Sequence, residues 1–172
     1  PRTGPRFRLE PILVEGEPNL IYGPGGICKS LLAAFFGLIV KMDHNAIGMK
    51  AVEGNVLYLD YETSLEEQND RLLRLKKGLG VGDTELFDEF DLDYRCCYQP
   101  LASEIAEIQR IVAEKSADLV VVDSLGAACG GEPENAGAVI SFFSSLRSLN
   151  VTSLCIDHVA KGIEENKRTP FG

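Results

Sequence analysis

Strand–helix alternation along the 172-residue chain predicts an α/β fold, a mostly parallel central sheet with helices on both faces. Three observations carry that prediction. The candidate strands at residues 55–60 and 119–122 are apolar almost throughout, as strands buried on both sides must be. Stretches of helical periodicity separate them. The polar residues with chemical potential, namely the loop that starts at Gly23, then Glu62, Asp123 and His158, all fall at carboxyl ends of strands. Ligands of parallel sheets bind there.

Residues 1–18 read as an N-terminal arm and lead-in strand. Arg2, Arg6 and Arg8 are expected to be solvated, Pro1, Gly4, Pro5 and Pro11 keep the arm irregular, and residues 12–14 form a short strand. Residues 19–22 are the strand that delivers a glycine-rich loop. A helix over residues 29–42 follows, apolar nearly all round and so covered on most sides. After the second strand, Ser64 and Glu67 form a capping-box pattern for a helix with Leu65, Leu72, Leu75 and Leu79 on its apolar face. Gly78 is expected to stop that helix, with Arg71, Arg74, Lys76 and Lys77 complementing its dipole. Residues 80–89 are polar and turn-rich, and residues 92–98 form a third strand. Ile105, Ile108 and Val112 mark a helix within residues 101–116. Residues 119–122 form a strand that ends on Asp123, and residues 126–133 read as a flexible segment. Val139, Phe142, Phe143, Leu146 and Leu149 mark the last helix, and residues 151–156 the last strand.

Composition excludes several classes of function. The net charge of −9 argues against a broad footprint on duplex DNA, whose partners usually carry the opposite balance. Five cysteines, an odd number without a C-x-x-C spacing, argue against a disulfide framework and against a zinc site. No apolar run approaches the roughly 20 residues needed to cross a bilayer, and the first residues lack a secretory signal's apolar core. A cytoplasmic protein with no membrane partner is expected.

The loop Gly23, Pro24, Gly25, Gly26, Ile27, Cys28, Lys29 and Ser30 sits between a strand and a helix, the context of a phosphate-binding G-x-x-x-x-G-K-[ST] motif. Such a loop aims successive backbone N–H groups and a helix N-terminus at an anion. Lys29 would reach the β- and γ-phosphates, and the Ser30 hydroxyl would ligate Mg²⁺. Cys28 stands where the pattern asks for its second glycine, and its thiol beside Lys29 is a candidate for reaction with thiol reagents. Asp123, after four apolar residues, has the context of a Walker B carboxylate that holds Mg²⁺. Glu62 is the candidate base or water-orienting group; its alternative is a surface residue near a helix start. His158 is a candidate sensor of the γ-phosphate, or a strand-end histidine bonded to backbone. Asp60 lies within the strand period and is expected to face the sheet.

These residues together resemble the RecA-like ATPases, in the branch of the KaiC-like proteins and the RepA-type hexameric helicases. The resemblance spans residues 19–172. It rests on the loop, on Tyr58-Leu-Asp-Tyr-Glu62, on Val120-Val-Val-Asp-Ser124, and on Asp157-His-Val-Ala-Lys-Gly162 followed by Thr169-Pro-Phe-Gly172. It implies a single RecA-like domain over residues 1–172, truncated at its C-terminal side, since relatives continue into further strands that often carry a trans-acting arginine. It implies ATP and Mg²⁺ as ligands, Glu62 as the catalytic glutamate, Asp123 as the Walker B aspartate and His158 as the sensor. It also implies a ring or filament, a hexamer among the options, acting in DNA replication, recombination or repair. Residues 126–137 and 161–172 would face the pore or a bound single strand. Lys161 is a candidate trans-acting cation. Two other readings stay open: a nucleotide-binding regulatory or assembly module with negligible turnover, and phosphoryl transfer to a small molecule.

Overall fold

Five parallel strands form the central sheet of the computed structural model, which describes residues 4–80, 92–130 and 135–158. In chain order the elements are β1 (Phe7–Glu10), β2 (Leu13–Val14), β3 (Pro18–Gly23), α1 (Lys29–Lys41), β4 (Lys50–Ala51), β5 (Asn55–Asp60), α2 (Leu65–Leu79), β6 (Asp93–Cys96), α3 (Leu101–Lys115), β7 (Ala117–Asp123), α4 (Leu125–Cys129), α5 (Ala136–Ser148) and β8 (Thr152–His158). The sheet order is β3-β8-β7-β5-β6. The predicted α/β architecture is therefore the observed one.

Alternation along each strand sorts side chains onto two faces. Val56, Tyr58, Leu119, Val121, Leu154 and Ile156 pack with α1, and Leu72 of α2 joins them. Leu57, Leu59, Val120, Val122 and Cys155 pack with residues of α3, α4 and α5. The same period carries Asp60, Asp123 and His158 onto the α1 face, two residues beyond Tyr58, Val121 and Ile156. Strand parity thus gathers these three polar groups above one helix.

Several local readings need correction. The arm is not an arm: β1 pairs antiparallel with β2 and with β4 in a small second sheet. Arg8 is not solvated. It is 9% exposed, donates to the Glu53 carbonyl at 2.7 Å, and pairs with Glu15 and Asp118 at 3.2 and 3.4 Å, so it ties the small sheet to β7. Helix α2 runs through Gly78 to Leu79 and is capped by Gly80, whose left-handed φ of 67° favours glycine. Arg71 and Arg74 consequently lie mid-helix and not in its last turn. Helix α1 is less covered than its composition suggests, with Leu31 and Leu32 partly exposed. Residues 126–129 of the expected flexible segment belong to α4, while its residues 131–133 lie outside the described part. Among the described residues no helix is long and apolar enough to cross a membrane.

Candidate nucleotide site

The loop between β3 and α1 closes on its own lysine. Lys29 is 4% exposed, and its ammonium donates to the carbonyls of Gly23 at 2.8 Å and Pro24 at 2.6 Å. Its third partner is Nδ1 of His158, at 3.1 Å. An ammonium only donates, so Nδ1 must accept, and the imidazole proton sits on Nε2. No side chain caps α1. The N–H groups of its first turn are left for an anion, as at any uncapped helix start.

Cys28 adopts φ 62° and ψ 30°, left-handed backbone directly before the helix. That conformation explains why the motif asks for glycine here, and it is strained for a residue with a Cβ. Replacing Cys28 by glycine is expected to raise unfolding free energy by about 1 kcal/mol, the αL penalty of roughly 1–2 kcal/mol less part of glycine's entropic cost. Nucleotide affinity should rise or stay level. Urea denaturation with a nucleotide titration checks both; a lower midpoint for the glycine variant would overturn the strain argument.

Asp123 ends β7 fully buried. Its Oδ2 accepts from the Tyr58 hydroxyl at 2.7 Å and its Oδ1 from the Ser30 hydroxyl at 3.2 Å. Burial pushes its carboxyl above the usual aspartate range, an effect opposed by those two hydrogen bonds and reinforced by the nearby Asp60 and Glu62. Burial, with the Asp123 charge beside it, also holds the Tyr58 phenol well above its ordinary value, so it stays a donor. Ser30 and Asp123 thus bring a hydroxyl and a carboxylate oxygen together at the head of α1, a hard-oxygen pair that fits Mg²⁺. Among the described residues no group of three His, Cys, Asp or Glu side chains converges on a metal-sized position. A magnesium ion at Ser30 and Asp123 would therefore take its remaining ligands from water and phosphate, its usual habit at nucleotide sites.

Glu62 lies just past β5, its side chain 38% exposed. Its Oε1 accepts from the Ser124 hydroxyl and lies 3.7 Å from Nε2 of His158. Lys29, His158, Glu62 and Ser124 form one chain of polar contacts, all at carboxyl ends of strands. The peptide between Asp123 and Ser124 is cis. Asp60 does not simply face the sheet, as its register suggested. It is fully buried and accepts four hydrogen bonds around the turn that carries Glu62.

A cleft of about 620 Å³ opens beside Lys29, Ser30 and His158, and its far wall is α2. Glu67, Asp70, Arg71 and Arg74 stand on that wall. Arg71 pairs with Glu67 at 2.5 Å and Arg74 with Asp70 at 2.7 Å. The sequence reading missed these arginines as site residues. Arg71 sits six residues into α2, which begins at Leu65 just beyond Glu62, and nothing in that spacing tells which wall it lines. Of the predicted residues, the structure brings together Gly26, Cys28, Lys29, Ser30, Asp123, Glu62 and His158. Lys161 and the segment 161–172 lie outside the described residues. Cys28 is exposed, Cys96 partly buried, and Cys97, Cys129 and Cys155 are buried; all five are free thiols.

A family model described as an AAA domain matches residues 1–164. No curated protein matches the chain. The matched span holds the loop, Ser30 with Asp123, Glu62 and His158 in one fold with a five-stranded parallel sheet. The chain belongs to this AAA-domain family of P-loop ATPases.

Proposed function

We propose that the chain binds Mg-ATP in the Gly23–Ser30 loop and hydrolyses it, as part of a ring or filament that acts in DNA replication, recombination or repair. The observation that carries hydrolysis is the convergence of Lys29, Ser30, Asp123 and Glu62 above the head of α1. Family membership and the resemblance to RepA-type helicases support the DNA setting, which is a weaker warrant than the site.

The chemistry asks little covalent work of the protein. A water oxygen forms a bond to the γ-phosphorus while the bond to the β–γ bridging oxygen breaks. Glu62 orients that water and takes its proton or passes it to solvent. The backbone N–H groups at the start of α1 and the Lys29 ammonium meet the charge on the phosphate oxygens. For Lys29 to do so it must give up a contact with Gly23, Pro24 or His158, because its three donors are already used. When bound, Mg²⁺ supplies electrostatic neutralisation of the phosphate oxygens. Arg71 and Arg74 stand on the cleft's opposite wall, each paired there with a carboxylate, so a phosphate would have to compete with Glu67 and Asp70 for them.

That occupied lysine also favours a second reading. ATP would draw Lys29 from His158 and so report occupancy to β8 without turnover, as a regulatory or assembly module would. Steady-state phosphate release, measured with Mg²⁺ and with EDTA, separates the two. We expect Mg²⁺-dependent release, stimulated by single-stranded DNA at low salt and losing that stimulation as salt rises. Nucleotide binding without release would favour the regulatory module, and no nucleotide binding would overturn both.

A further inference from the structure

We infer that Asp60 is a positioning residue for Glu62, an inference that rests on Glu62 serving ATP hydrolysis. Asp60 is the last residue of β5, and both of its carboxylate oxygens are engaged. Oδ1 accepts the backbone N–H groups of Glu62 at 2.9 Å and Thr63 at 2.8 Å. Oδ2 accepts the Thr63 hydroxyl at 2.5 Å and the Tyr94 hydroxyl at 3.2 Å. The backbone at this strand end is held as well. The Asp60 carbonyl accepts from Cys97 N–H at 2.8 Å, and Tyr61 N–H donates to the Asp123 carbonyl at 2.6 Å.

A fully buried carboxylate is costly to keep unless hydrogen bonds replace its water. Here the replacements are the amides of the turn that presents Glu62. A carboxylate accepting main-chain N–H groups from the next two or three residues clamps a turn that those residues would otherwise leave loose. Tyr94 anchors the same carboxylate from the adjacent strand, its ring stacked on Tyr58 at 6.3 Å between centroids. Burial, then the Asp60 charge, pushes the Tyr94 phenol above its ordinary range, so it remains protonated and donates. Ser124 then fixes the Glu62 side chain from the other side. Asp60 therefore sets where the Glu62 backbone stands, and Ser124 where its carboxylate points. Misplacement by about 1 Å can cost on the order of a hundredfold in rate, which is the scale of effect available to such a clamp.

The test compares Asp60→Asn and Asp60→Ala with Glu62→Gln and the double variant Asp60→Asn/Glu62→Gln, using phosphate release and equilibrium ATP binding. Expected is a kcat about 10–100-fold lower with ATP affinity changed less than about threefold. In the Glu62→Gln background the Asp60 change should cost nothing further, because Asp60 acts only through Glu62. Equal losses in both backgrounds, or an unchanged kcat, would overturn the inference. Should an Asp60 variant not fold, Thr63→Val and Tyr94→Phe remove one donor each. They should lower kcat about 2–5-fold with binding kept, since one neutral hydrogen bond is lost. No change in either would count against the clamp. If the wild type releases no phosphate, the hydrolysis reading fails by itself, and amide exchange decides the clamp. Glu62 and Thr63 amides should be protected in the wild type and exchange freely in the Asp60→Ala protein, with β5 still protected. Unaltered protection would sink the inference.

Discussion

Glu62→Gln is expected to lower kcat by about 10²–10⁴-fold, the usual contribution of a positioned general base. The substitution keeps the length of the side chain and an oxygen that can accept from Ser124, so the strand end should stay in place. What it removes is the negative charge that orients a water and draws its proton. Affinity for ATP should hold or rise slightly, because Glu62 faces neither the amides of α1 nor the Lys29 ammonium, and a like charge near the phosphates is gone. The pairing of a lost kcat with retained binding is the signature of an interaction made only in the transition state. Phosphate release together with equilibrium binding of ATP measures both quantities. Turnover that survives the substitution would remove Glu62 from the mechanism and leave the regulatory module as the better account.

Gly130→Ala is expected to destabilise the fold by about 2–5 kcal/mol, a large part of a domain's usual 5–15 kcal/mol. Gly130 closes α4 at φ 68°, so an alanine there meets the left-handed penalty. The larger effect is contact. A Cβ at this position would lie 2.1 Å from Cγ and 2.5 Å from Cβ of Pro100, the residue directly before α3. A proline ring is rigid, so the start of α3 or the end of α4 must move. Because α4 begins directly after Ser124, that movement should also reach the Glu62 contact. Gly126→Ala is the control: nothing lies within 4 Å of its Cβ, and it sits inside α4. There alanine should stabilise by up to about 1 kcal/mol through helix propensity. Urea denaturation of the two variants should show midpoints moving in opposite directions. A neutral Gly130→Ala would mean that α3 and α4 are not packed as tightly as the proline contact requires.

The central sheet was legible because β5 and β7 are apolar on both faces, the pattern of strands covered on both sides. The helices on either side were legible through their period, and the loop through its glycines, lysine and serine in a strand–helix context. Of the small sheet only β2 was legible, within the short strand expected at residues 12–14. Phe7, Arg8, Leu9 and Glu10 do alternate apolar and polar, but over four residues only, and β2 and β4 are two residues each. Their pairing is set by contacts across about 40 residues, with Arg8 drawn in by Glu15 and Asp118. Asp60 and the two arginines of α2 escaped for a similar reason. A carboxylate at a strand's last position looks alike whether it faces solvent, sheet or a turn, and an arginine on a helix looks alike on either side of it.

Sequence alone therefore determined the fold class, and it singled out the loop with Lys29, Ser30, Glu62, Asp123 and His158 as candidates, since each is a residue type next to a local pattern. Tertiary structure decided what those groups do to one another. Strand order placed β8 between β3 and β7, and this brought His158 onto Lys29 and within reach of Glu62. Strand parity put Tyr58 beneath Asp123 and Tyr94 against Asp60. Hydrogen bonds between residues 30 to 130 positions apart need a specific register of parallel strands, and local sequence does not contain that register.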